Sequence, residues 1–208
     1  MCHNPSVPWY GKNRRVVLAR ELFYFFIHFF QLLIDQFDLI DEIANVMKDL
    51  MREKPIEKIR ITEICRKAMI ERPTFYYHFK DKHDLVAWIF FQNAAKTDIV
   101  DLHGAAEALR GMKRDLIFFQ RAYEDISQNA LWQYMLEYFV KRYSDLAMEK
   151  LGMDALDVQT AFSIRSYCYG CVGMTKEWVL FDNKTSAETE VEMMFRSMPE
   201  SLQNIFFS

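Results

Sequence analysis

The chain has 208 residues, 51% of them apolar and 26% charged, which is enough to bury a sizeable core and excludes disorder for most of its length. Only 6 Gly and 5 Pro punctuate it, while 15% of the residues are aromatic, so a sandwich or barrel with a turn every 8 to 12 residues or so is excluded. No GxGxxG or GxxxxGK[ST] loop is present, which removes a phosphate-cradling nucleotide site and leaves an all-helical expectation.

The formal net charge is −3, but it is unevenly spread. Between Arg52 and Asp84 nine basic residues face six acidic ones, a local +3 that leaves −6 elsewhere. A basic module on an acidic body directs attention to that window as a nucleic-acid reader, beside the plainer reading of a solvated charged face.

Residues 1–15 are polar and broken by two prolines, so little fixed structure is expected there. The apolar run from Leu22 to Ile34 contains His28 and Gln31 and is bounded by charge. It is too short for a bilayer span of about 20 residues and lacks a small-residue cleavage site after it. An added helix, a membrane-surface segment and sequence upstream of the native start are the readings for this 1–37 extension.

From Asp38 the period becomes helical, with Leu39, Ile43, Val46, Met47, Leu50 and Met51 at three- and four-residue steps until Pro55. Thr62 is expected to cap a short helix, Glu63 to Ala68, whose apolar face is Ile61, Ile64, Cys65 and Ala68. Pro73 then suits the first turn of a second helix with Phe75 and Phe79 buried. Asp81 is placed to cap a third, with Leu85 and Ile89 inside. Two short helices about a tight turn form a helix-turn-helix, whose second member offers its N-terminal side chains to the major groove. Tyr76, Tyr77 and His78 are consecutive and cover roughly 200° of helix circumference, so one core face cannot hold all three.

The stretch ITEICRKAMIERPTFYYHFKDKHDLV, residues 61–86, resembles the DNA-binding region of TetR-family transcriptional regulators, above all in Arg72-Pro73-Thr74-Phe75-Tyr76-Tyr77-His78-Phe79. The resemblance implies an all-α protein: a three-helix helix-turn-helix head over 38–86 and a helical ligand-binding and dimerisation body over 87–208. It also implies a homodimer on a palindromic double-stranded operator. Thr62, Tyr76, His78 and Lys82 take phosphate-contact positions, Arg72, Pro73 and Tyr77 base-contact positions, and Thr74 joins them at the surface. Two departures stand out in the turn, Ala68-Met69-Ile70-Glu71, where the family pattern is small-Gly-apolar-Ser. Met69 replaces the glycine of a left-handed turn, and Glu71 brings a carboxylate toward phosphate. They keep alive an alternative, a helical protein-interaction adaptor or co-regulator with a weakened DNA head. The stretch YHFKDKHDLVAWIF, residues 77–90, and the ending from Thr175 to Leu202 resemble the branch named for dihydroxyacetone kinase activation.

The body reads as helices over Ala105–Phe119, Glu124–Asn129, Trp132–Lys150, Ala155–Phe181 and Ser186–Phe206, with Gly152, Asn183 and Pro199 as breaks. Tyr134, Tyr138, Phe139, Tyr143, Phe162, Tyr167 and Tyr169 are candidates either to line a pocket or to fill core. The stripe Ile164, Cys168, Cys171, Thr175, Trp178 and Val179 is expected at a dimer contact. Cys168-x-x-Cys171 lacks further zinc ligands nearby in sequence and the strand-to-helix context of a redox motif, leaving two small apolar residues at a helix contact. No metal cluster, cofactor motif or catalytic constellation can be read, so a non-enzyme with an unknown small-molecule effector or co-regulator protein is expected. The four cysteines form no disulfide framework, so reduced thiols in a cytoplasmic protein are expected.

Overall fold

The computed structural model describes residues 38–94, 97–127, 130–182 and 184–207. The chain divides into two compact units, Met1–Glu42 and Ile43–Ser208. Of the first only the helical residues 38–42 are described; the readings made for residues 1–37, and the break at Asn183, lie outside the described residues. The head and body expected over 38–86 and 87–208 both fall in the second unit from Ile43 onward.

Helix α1, residues 38–53, buries Ile43, Val46, Met47, Leu50 and Met51, the apolar stripe of its sequence. Pro55 follows it and opens a 3₁₀ turn, Ile56–Lys58. α2 is Ile61–Lys67 and α3 Arg72–His78. The cap expected at Thr62 is not made: Arg60, in extended backbone, is the N-cap, with no side-chain cap, because the helix starts one residue before the hydroxyl. α4, Lys82–Ala94, is capped by Asp81, whose Oδ1 accepts from the amides of His83 at 2.8 Å and Asp84 at 2.9 Å.

The body comprises α5 (Leu102–Arg114), α6 (Leu116–Glu124), α7 (Leu131–Leu151), α8 (Val158–Phe181), α9 (Ala187–Arg196) and α10 (Glu200–Phe206). The described residues contain no strand. The single helix expected over Ala105–Phe119 is two. It breaks at Asp115, whose carboxylate meets the Lys48 ammonium of α1 at 2.6 Å and Arg52 at 3.5 Å. The short helix expected from Glu124 is also absent over 125–127, where the Asp125 side chain accepts from the amide and hydroxyl of Ser127, both at 2.9 Å. Pro199 divides the last expected helix into α9 and α10, as its missing N–H requires.

α7 packs along α8 and α5 along α9, with α6 against α8 and α10 across α7. Most of the expected dimer stripe lies inside the single chain. Ile164, Cys168, Thr175, Trp178 and Val179 are all buried within the single chain, and Cys171 is half-buried beside them. Trp178 is fully engaged: its indole N–H donates to the Thr185 carbonyl at 3.1 Å, and the Lys113 ammonium lies 4.4 Å from its ring centre. These residues face inward because α8 is apolar on more than one side, and the sequence period alone does not distinguish those sides.

One glycine is fixed by close approach. A Cβ on Gly104, in the first turn of α5, would sit 2.1 Å from the Asp98 carbonyl oxygen, and backbone cannot yield cheaply there. Gly111, in the same helix, would meet only the Arg114 side chain at 3.6 Å. Gly104→Ala is therefore expected to cost about 3 kcal/mol, a fall in Tm of roughly 6–12 °C. Gly111→Ala should hold or raise Tm through helix propensity; equal responses of the two variants in a thermal melt would contradict this packing.

Candidate nucleic-acid interface

α2 and α3 pack together about the turn Ala68–Glu71. That turn depends on one left-handed residue. Met69 has φ +53°, the only positive φ among the described non-glycine residues, and its side chain is 91% exposed. The family's glycine position is thus geometrically real, and methionine occupies it with some strain and no packing reward. The Ile70 amide closes the turn onto the Cys65 carbonyl at 3.0 Å.

α3 is anchored by its inner face. Phe75 and Phe79 are buried with ring centres 5.7 Å apart, and Phe79 meets Trp88 of α4 edge-on at 5.9 Å. The opposite face presents Arg72, Pro73, Tyr76 and Tyr77 to solvent, with Thr74 and His78 half-buried at its margins. Thr62 is exposed on the first turn of α2. Arg72 donates to the Tyr76 hydroxyl at 3.2 Å, and its guanidinium carbon lies 5.7 Å from that ring centre. The pair is a preformed i, i+4 unit of one cation and one hydroxyl. Tyr77 stacks edge-on against His78 at 4.9 Å. Glu71 is the N-cap residue of α3 without a side-chain cap bond, and no ion pair joins it to Arg72 among the described residues.

Lys82 departs from its expected place at a phosphate. Its ammonium donates to the carbonyls of Ile56 at 2.7 Å, Ile59 at 3.1 Å and Glu57 at 3.4 Å. All three N–H donors are thereby used inside the chain, tying the 3₁₀ turn to the start of α4. Three further links were not legible in the sequence. Lys54 bonds both oxygens of Glu63 at 2.7 Å, which holds that carboxyl below its ordinary pKa and pins the end of α1 to α2. His83 Nδ1 lies 2.9 Å from Asp125 Oδ2, joining the first turn of α4 to the end of α6. The Lys48–Asp115 pair joins α1 to the body. The latter two pairs lie far apart in sequence, and none of the three makes a local pattern.

Behind the head lies a cavity of about 60 Å³. It is lined by Phe90 and Ala94 of α4, Phe139 and Tyr143 of α7, and Tyr167 and Cys171 of α8, among others. Of the aromatics considered for a pocket, only Phe139, Tyr143 and Tyr167 reach it. Tyr134 and Tyr138 line a separate surface groove with Phe91, and Phe162 and Tyr169 point outward. Cys168 and Cys171 both border the cavity, and burial pushes their thiols up to about 12 and about 11. They are protonated at neutral pH, unlike an activated redox pair. No group of three or more His, Cys, Asp or Glu side chains suited to a metal occurs among the described residues.

The short two-helix reader, with an outward cationic and aromatic face and a helical body behind it, defines a helix-turn-helix DNA-binding protein with a separate regulatory core. Residues 46–89 match the bacterial regulatory proteins of the tetR family, and residues 103–200 match a transcriptional regulator C-terminal region of that group. The chain belongs to the TetR family of transcriptional regulators, which are not enzymes. A curated relative, the HTH-type dhaKLM operon transcriptional activator DhaS of Lactococcus lactis subsp. lactis (strain IL1403), is 32% identical over 87 residues, 39% of this chain. The match spans 46% of that relative's length. Two solved structures share the fold. The dihydroxyacetone kinase operon activator DhaS has a TM-score of 0.57 at 21% identity, covering 80% of this chain and 97% of that one. A TetR transcriptional regulator from Rhodococcus sp. RHA1 gives 0.51 at 12%, covering 82% and 96%. No helix among the described residues is long and apolar enough to cross a membrane.

Two substitutions test the head's construction by denaturant unfolding. Met69→Gly removes the left-handed strain without losing a contact and should raise stability by about 0.5–1 kcal/mol. Lys82→Ala should lower it by about 1.5–3 kcal/mol, since charged hydrogen bonds to three carbonyls are lost. A Lys82→Ala protein of unchanged midpoint would return this residue to the DNA surface.

Proposed function

We propose that the chain is a homodimeric, effector-responsive regulator of transcription that reads a palindromic operator with α3. The observation that carries this is the outward set Arg72, Pro73, Tyr76 and Tyr77 on a helix whose opposite face is locked by Phe75 and Phe79. Arg72 reaches a guanine edge, Pro73 and Tyr77 meet thymine methyl groups, and Thr62, Thr74, Tyr76 and His78 meet phosphate. Lys82 is left out of this set because its donors are occupied. The intact helix-turn-helix favours DNA over the adaptor alternative, since Met69 takes up the turn that glycine would otherwise supply. The cytoplasm is the compartment this role requires.

The cavity behind α4 is the effector site in this reading. α4 lines it with Phe90 and Ala94 and also begins beside α3, so a ligand that displaces the far end of α4 re-aims the reading helix. The His83–Asp125 contact links that same first turn to α6. The relative's role as an activator makes activation the direction to test here.

The dimer forms, in this proposal, through the outer face of α8 rather than its inner stripe. Val158, Phe162, Tyr169, Met174 and Phe181 are exposed there, and a Cβ on Gly170 or Gly173 would meet nothing within 4 Å. An open apolar face of this length is rare on a monomer, and a two-fold axis covers it with its own copy. It would also set two heads about one helical turn, roughly 34–36 Å, apart.

Two measurements test the reading. In mobility shifts on DNA flanking its own gene, Arg72→Ala should cost about 1–3 kcal/mol and relax preference at one base pair per half-site. Unaltered affinity and sequence preference would remove Arg72 from the base-reading set. In sedimentation the wild-type chain should run at about twice its 24.9 kDa. Phe162→Glu, placing a charge at a 72% exposed position, should run as a folded monomer with weakened operator binding. A variant that remains a dimer would move the contact elsewhere.

A further inference from the structure

A second depression lies on the outer side of the body, between α8 and the α9–α10 corner. It is a groove of about 450 Å³, bordered by Ser166, Gly170, Met174, Met193 and Glu190 among others. Its walls are apolar or small, and Glu190 is the one charged group in them.

Glu190 is out of place as an unpaired residue. It is 4% exposed, and among the described residues no hydrogen bond or ion pair reaches its carboxylate. Burial is the main force raising its pKa, and the carboxylates of Asp182 and Glu177 raise it further. Tyr167 and Cys171, the other titratable side chains bordering the groove, carry no positive charge. The carboxylate opens onto the groove, and a cation entering there would offset the cost of its burial.

The position of the groove says where that cation comes from. Ser166, Gly170 and Met174 border it and also lie on or beside the outer face of α8 described above, so a second copy seated on that face roofs the groove. The same region offers the complementary charge. Of the basic residues in α8–α10, Arg165 is paired with Glu137 at 3.0 Å and Arg196 with Glu192 at 2.5 Å. Lys176 has no ion pair among the described residues and stands beside Gly173 on that face. A two-fold axis makes any such contact twice, Glu190 to the partner's Lys176 and the reverse.

We propose that the groove is a socket for a basic side chain of the second copy, the partner's Lys176, whose ammonium neutralises Glu190 and fixes the register of the dimer. This rests on dimerisation through the outer face of α8. It adds a specific charge pair to an otherwise apolar contact, where such pairs select one alignment over others.

The test is sedimentation equilibrium of the full chain as wild type, Glu190→Gln, Glu190→Lys, Lys176→Glu and the double swap Glu190→Lys/Lys176→Glu. Glu190→Gln keeps the shape and should weaken the dimer at least about tenfold. Its monomer should unfold no earlier than wild type, which separates a lost contact from a damaged fold. Each single charge reversal should weaken the dimer further, and the double swap should recover most of the loss. The wild-type dimer should strengthen as pH rises through the carboxylate range, because burial raises the Glu190 pKa in the free chain and a paired ammonium would lower it; Glu190→Gln should lose that dependence. Hexylamine is the probe for a free ligand, with hexanol as its neutral control. The proposal is overturned if Glu190→Gln dimerises like wild type, if the double swap is no better than the single reversals, or if hexylamine binds the wild-type dimer in a Glu190-dependent way that hexanol does not match. A wild-type chain that stays at 24.9 kDa would instead defeat the dimer reading beneath it.

Discussion

Three backbone carbonyls, of Ile56, Glu57 and Ile59, converge on the ammonium of Lys82. They belong to the 3₁₀ turn and the residue after it, where the Ile56 carbonyl also accepts from the Ile59 amide at 3.0 Å, and the cation comes from the first turn of α4. That junction places the end of α1, the start of α2 and the start of α4 around one charge. α3 then has a fixed floor, with Phe75 and Phe79 packed beneath it and Trp88 of α4 against Phe79. The exposed faces of Arg72 and Tyr77 are presented from that floor.

The same helix carries the head's connection to the body. Asp81 caps α4, His83 meets Asp125 of the α6 end, and Phe90 and Ala94 border the internal cavity. Cap, inter-helix contact and cavity wall thus follow one another along α4 and the residue that opens it. In the proposed effector response, a displacement at the cavity end of α4 would reach α3 through this one helix. The second tie, Asp115 with Lys48 and Arg52, holds α1 to the α5–α6 junction.

The body separates its apolar surface into two uses. The inner side of α8 closes the core through Ile164, Cys168, Trp178 and Val179, while the outer side stays open through Phe162, Tyr169 and the unfilled space at Gly170 and Gly173. Glu190 lies at the edge of that open side, raised in pKa by burial and by its acidic neighbours. An apolar contact supplies most of an association's strength but little of its register, and one buried charge is what distinguishes one alignment from the next.

The sequence by itself determined the helical class, the helix-turn-helix, the buried pair Phe75 and Phe79, the outward Tyr76 and Tyr77, the Asp81 cap and the left-handed turn at Met69. All are local: they depend on residues within one or two helical turns, where spacing and backbone preference decide. The tertiary structure alone decided the rest. It took Lys82 from the surface and gave it to three carbonyls, broke a helix at Asp115 to meet Lys48, and turned the Cys168–Trp178 stripe inward. A 24-residue helix with apolar residues on several sides offers more than one burial solution. Which side is covered depends on α6, α7 and α9, residues distant in sequence whose packing no local period encodes.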